Sequence, residues 1–79
     1  MDDTINKECD TFVWNVVWLR KKAGYSRRQM ASLLGIGTRT LDRIEAGELP
    51  PRLKAGVVIR IADHFRCSSE DLFRKRFDQ

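Results

Sequence analysis

The sequence predicts an all-α fold, one small domain of five helices around a single core. Three observations predict it. Apolar residues recur three and four positions apart, as at Phe12, Val16 and Leu19 and at Val57, Ile61 and Phe65. Helix-stopping glycines and helix-capping serines punctuate those runs. The chain has 79 residues, enough for one domain near the lower limit of a core that holds without staples.

From Met1 through Glu8 no period is visible, and residues 1–9 are expected to form a flexible tail. Asp10 or Thr11 can cap a first helix that runs to about Lys22 and buries Phe12, Val16 and Leu19. Its last turn carries Arg20, Lys21 and Lys22, which suit the negative end of the helix dipole, and Gly24 ends it. Trp14 and Trp18 fall on another face, either as an interaction patch or packed under the C-terminal tail. Tyr25 can staple against Met30.

A second helix follows from Ser26 to Leu34. Ser26 can cap it, and Gln29 three residues later completes a capping box. Met30, Ala31 and Leu34 share one face. Gly35 stops the helix because glycine enters the left-handed conformation at little cost. Ile36 points inward from the turn. The third helix is expected from Thr38 to Ala46, between Gly37 as cap and Gly47 as terminator. Leu41 and Ile44 turn toward the second helix, while Thr38, Arg39, Asp42 and Arg43 gather on the opposite face. The small Ala31, the turn at Gly35 and the apolar pair beyond it let the two helices cross closely.

The stretch Glu48-Leu49-Pro50-Pro51-Arg52 is a stiff connector, since two prolines exclude regular helix. A fourth helix covers about Ala55 to Arg66, with Val57, Val58, Ile61, Ala62 and Phe65 as its apolar stripe and His64 at the edge. Ser68 or Ser69 caps a fifth, with Glu70 and Asp71 in its favourable first turn and Leu72 and Phe73 as apolar contacts. The folded domain is expected over residues 10–76, with 77–79 as a tail.

The formal net charge is +4, unevenly spread. Residues 1–19 carry −3, residues 20–60 carry +7, and the remainder balances. The basic excess surrounds the second and third helices, where it would attract a polyanion. Cys9 and Cys67 have neither the spacing nor the companions of a zinc site, and His64 is the single histidine. Cys67 is expected as a small buried apolar residue and Cys9 as a free thiol near the surface. No metal or cofactor is implied. No nucleophile with a partner base stands out, so an enzyme is not expected. The polar, acidic N-terminus is no secretory signal and no apolar run is long enough to span a bilayer, which points to the cytoplasm.

Ser26, Met30, Ala31, Gly35, Ile36, Leu41, Ile44, Glu45 and Gly47 together resemble the pattern of lambda-repressor-like helix-turn-helix proteins of the Cro and phage-repressor (xenobiotic-response-element) type. The resemblance runs from about Leu19 to Phe73. It implies a five-helix DNA-binding domain that inserts its third helix into the major groove. Thr38, Arg39 and Arg43 then become reading positions, with Asp42 beside them. A guanidinium can donate two parallel bonds to guanine O6 and N7, and a carboxylate can accept from cytosine N4. Asp42 could instead hold one of the arginines in place. Backbone contacts are expected from Ser26, Arg27, Arg28 and Thr40, and from Arg52 and Lys54 in the connector. Arg20 and Glu45 match positions that form an internal ion pair in the family.

The resulting expectation is sequence-specific binding of double-stranded DNA by a transcriptional regulator, a repressor before an activator, working as a homodimer on a two-fold site. Leu72, Phe73 and Phe77, or Trp14 and Trp18, are the candidate protein surfaces. The competing expectation is a protein-binding module of antitoxin or antirepressor kind.

Overall fold

The computed structural model describes residues 3–48 and 55–77. Five helices follow in order: α1 (Asp3–Ala23), α2 (Arg27–Leu34), α3 (Thr38–Glu45), α4 (Ala55–Phe65) and α5 (Ser69–Arg74). The fold is therefore all-α, with no strand among the described residues. The Leu49-to-Lys54 part of the connector, with Arg52 and Lys54, lies outside the described residues.

The principal difference from the sequence reading is at the start. α1 begins at Asp3, well before the expected cap at Asp10 or Thr11. Two physical reasons account for it. Once a helix is anchored, each further residue adds a hydrogen bond without a new nucleation step. Cys9, half-buried and three residues ahead of Phe12, also extends the apolar stripe backward.

The core is built from one stripe of each helix. Phe12, Val16 and Leu19 of α1 meet Met30, Ala31 and Leu34 of α2, Leu41 and Ile44 of α3, Val57 and Ile61 of α4, and Leu72 of α5. Phe73 lays its ring flat on Phe12, with centroids 4.6 Å apart. Leu72 is fully buried and serves the core, which removes it from the candidate interfaces, while Phe73 is half-buried.

The same pair of hydrogen bonds ends α1, α2 and α3, and α4 keeps the longer of the two. At the end of α2 the Gly35 amide donates to Ser32 O and the Ile36 amide to Ala31 O. This is a Schellman closure, and it needs a left-handed residue; Gly35 has φ 71°. Gly24 and Gly47 close α1 and α3 in the same way. At α4 no glycine is present. Arg66 takes the left-handed conformation at φ 53°, and the Cys67 amide donates to Ala62 O. An L-residue there carries a steric penalty that glycine lacks. Arg66→Gly is therefore expected to raise stability by about 0.5–1 kcal/mol, read as a higher denaturation midpoint with unchanged slope; a lower midpoint would mean the Arg66 side chain holds something of its own.

One polar side chain lies wholly inside. Asn15 has no exposed surface and sits among Phe12, Val16 and Leu19 on the inner face of α1. Its Nδ2 donates to Leu72 O at 2.9 Å and Lys75 O at 2.8 Å, and its Oδ1 accepts from the Phe77 amide at 3.1 Å. Asn15 thereby serves the carbonyls at the end of α5, which have no partner within their own helix, and ties down the segment behind it. Phe77 is thus part of the folded body, edge-on to Trp18 with centroids 6.3 Å apart.

Candidate nucleic-acid interface

The helix pair is held at its corner from within and from behind. The capping box of α2 is complete: the Gln29 amide donates to Ser26 Oγ at 3.1 Å, and the Ser26 amide to Gln29 Oε1 at 2.8 Å. Ala31, Leu34, Leu41 and Ile44 are buried at the crossing of α2 and α3. From behind, Arg60 of α4 lies over the turn. A β-carbon at position 35 would sit 2.7 Å from Arg60 Nη1. α2 has no basic residue in its own last turn, so Arg60 brings a cation to the end of the helix dipole. Nothing in the local pattern around Arg60 marks that role.

With Leu41 and Ile44 facing inward, the polar face of α3 is left to solvent. Thr38, Arg39, Asp42 and Arg43 are all exposed on it, and Thr40 is half-buried toward its side. α3 starts at Gly37 without a side-chain cap, so its first amides are not taken by a side chain. Ser26 and Arg28 are exposed at the start of α2. Ser26 Oγ is engaged in its own capping box, whereas Arg28 makes no ion pair among the described residues.

Arg20 and Glu45 lie against one another. Arg20 Nε donates to Glu45 Oε2 at 2.6 Å and Nη2 to Oε1 at 3.1 Å, a forked pair with the Glu45 side chain 4% exposed and that of Arg20 12%. Arg20 Nη1 also donates to Tyr25 O at 3.1 Å. The pair joins α1 to the end of α3, so α3 is oriented by the longest of the described helices.

Arg27 does not project freely. Its Nε donates to Glu45 Oε1 at 3.0 Å, and its Nη1 lies 3.7 Å from Asp42 Oδ1. The side chain expected on a phosphate is thus drawn onto α3, because residues 42 and 45 stand on one side of that helix and face the first turn of α2. Asp42 faces Arg27, and it pairs with neither Arg39 nor Arg43 among the described residues.

The tryptophans pack partly on the chain itself. Trp14 and Trp18 stack 6.3 Å apart, with Arg76 over Trp14 at 5.6 Å and Lys22 over Trp18 at 4.7 Å. Packing beneath the C-terminal segment accounts for one side of them. An open groove of about 400 Å³ lies beside them, lined by Val13, Trp14, Val17 and Trp18 and by Arg76 of that same segment.

His64 Nε2 and the Tyr25 hydroxyl share an exposed hydrogen bond at 3.0 Å, and Tyr25 faces His64 and Phe65. Cys9 and Cys67 are free and half-buried. Burial first, and the Asp71 carboxylate second, push the Cys67 thiol up and keep it in its unreactive form. No cluster of three metal-ligating side chains occurs among the described residues.

Comparison with known proteins fits this geometry. A family model described as a helix-turn-helix domain matches residues 17–74, from the second half of α1 to the end of α5. No curated protein and no solved structure matches the chain. The matched span contains both helices of the motif, the turn at Gly35 and the helices that brace them: the chain belongs to the helix-turn-helix domain family, and DNA binding is the activity that this membership supports.

Proposed function

We propose that this protein is a sequence-specific, double-stranded-DNA-binding transcriptional regulator, a repressor in its simplest form, and of the lambda-repressor-like type. One observation carries the reading: Thr38, Arg39, Asp42 and Arg43 stand exposed on one face of α3, while Leu41 and Ile44 lock its other face into the core. A helix of that shape can enter a major groove without disturbing the fold behind it. Arg39 and Arg43 read guanine, Thr38 and Asp42 assist, and Arg28 and Thr40 meet the backbone, together with Arg52 and Lys54 in the connector. The Arg20–Glu45 pair favours the lambda-repressor-like type, since the resemblance places such a pair at these positions.

The protein acts without catalysis and without a cofactor, in the cytoplasm. Among the described residues no helix is long and apolar enough to cross a membrane. A single module contacts few base pairs, so it works as a homodimer on half-sites about one helical turn apart. Trp14, Trp18 and Phe77 remain as a starting point for the dimer surface. Ile59 on α4, 54% exposed, is a second. The groove beside Trp14 and Trp18 favours the second reading, a module whose target is another protein.

Selection of bound sites from a random DNA library, followed by titration at low and high salt, tests both. A DNA reader yields a two-fold symmetric consensus and an affinity that falls linearly on a log–log plot against salt. A protein-only binder shows no salt-sensitive association. Arg43→Ala is expected to cost about 1–3 kcal/mol on the selected site and to relax preference at one base pair. Equal loss on all sequences would make Arg43 a backbone contact instead.

A further inference from the structure

We infer that Arg27 is a positioning residue: without touching a base, it sets the orientation of the Asp42 carboxylate and hence the base pair that this carboxylate selects. The inference rests on the reading of α3 as the helix that enters the groove.

The geometry is a relay of four charges. Glu45 is almost wholly buried, and its Oε1 accepts from both Arg20 Nη2 and Arg27 Nε. Arg27 is thus fixed at one corner of its guanidinium by a carboxylate that is itself held by α1. The rigid, planar group then has one direction in which to present its next nitrogen. That nitrogen, Nη1, lies 3.7 Å from Asp42 Oδ1, one turn back along α3 from Glu45. The order is Arg20, Glu45, Arg27, Asp42, running from α1 through the end of α3 and the start of α2 to the reading face.

The electrostatics explain why the relay has a use. Asp42 is an exposed carboxylate in the surface that is to meet a polyanion. Alone it would be repelled by phosphates on every sequence alike. With Arg27 beside it the local charge is close to neutral, so what remains is directional: a carboxylate oxygen able to accept from cytosine N4 and mismatched against acceptor-bearing edges. Arg27 also occupies the first turn of α2, where a cation opposes the helix dipole. The two carboxylates of α3 offset that penalty, which gives the arginine a reason for its position independent of phosphate.

The test uses the full chain in three variants, Arg27→Met, Arg27→Lys and Asp42→Asn, with site selection, affinity on the selected site, salt slope and melting temperature measured for each. Arg27→Met is expected to relax preference at the same base pair as Asp42→Asn, by roughly tenfold, on top of a smaller uniform loss from the uncovered Asp42 carboxylate, with the rest of the consensus unchanged. Arg27→Lys keeps the charge but cannot bridge two carboxylates as a planar fork, so it is expected to relax the same base pair while holding the slope. Arg27→Met combined with Asp42→Asn should do no more than either change alone, since both break one link. Melting temperature separates this from general loosening, because destabilisation without a change of consensus overturns the proposal. A fall on all sequences together with the consensus unchanged at every position, and the salt slope reduced by about one, would make Arg27 a phosphate ligand and also overturn it. A wild-type chain that selects no sequence removes the DNA reading itself, and the proposal with it.

Discussion

Replacing Glu45 by alanine is expected to destabilise the domain by about 3–5 kcal/mol, because it leaves a nearly buried arginine without its counter-charge. Arg20 is 12% exposed and points both Nε and Nη2 at Glu45, with Tyr25 O as its remaining partner. The same change frees Arg27, which loses its Nε acceptor. Glu45→Ala thus removes the ion pair between α1 and α3 and the one from Arg27 of α2 to the end of α3 together. Urea unfolding of the variant checks the magnitude, and a loss below about 1 kcal/mol, the range of exposed pairs, would show that the pair behaves as a surface contact. Replacing both partners, Arg20→Met with Glu45→Leu, is expected to recover much of the stability, since apolar side chains of similar volume need no desolvation of charge. Selectivity for DNA should not recover with it, because the orientation of α3 and the fixing of Arg27 are lost in both cases.

Asn15→Leu should be nearly as damaging, on the order of 3 kcal/mol, despite similar volume and greater hydrophobicity. The wild-type amide satisfies Leu72 O, Lys75 O and the Phe77 amide. Leucine satisfies none of them, and each polar group left buried without a partner costs about 1–3 kcal/mol. Two of the three bonds are partly buried, so water recovers part of the loss. The local signature is more specific than the total. Hydrogen exchange at the Phe77 amide should accelerate, and the Trp18 environment should change as Phe77 leaves its ring. Stability equal to wild type, with the Phe77 amide still protected, would mean that Phe73 and Leu72 hold α5 unaided.

These two residues divide what could be read early from what could not. The helix pair from Ser26 to Gly47 was legible because its signals are local. A serine hydroxyl reaches an amide three residues on, and a glycine closes a helix with bonds to carbonyls three and five residues back. Asn15 left a weaker trace. It falls three residues after Phe12 and four before Leu19, inside an apolar stripe, and a polar residue there calls for a buried partner. Its partners are 57 to 62 residues away, so no local pattern names them. α4 ends within a residue of the expected Arg66, yet its left-handed turn forms at Arg66 without the glycine that announces one.

The order of helices, the caps at Ser26, Gly37 and Ser68, the buried stripes and the outward set Thr38, Arg39, Asp42 and Arg43 were determined by the sequence alone, since periodicity and capping act within about one or two turns of chain. Only the tertiary structure decided that Asn15 holds the end of α5, that Arg60 covers the turn at Gly35, and that Arg27 lies between two carboxylates of α3. The reason is one of range. A charge or an amide pairs with whatever the packed helices bring within about 3 Å, and which group that will be is settled by how the helices pack and not by position along the chain.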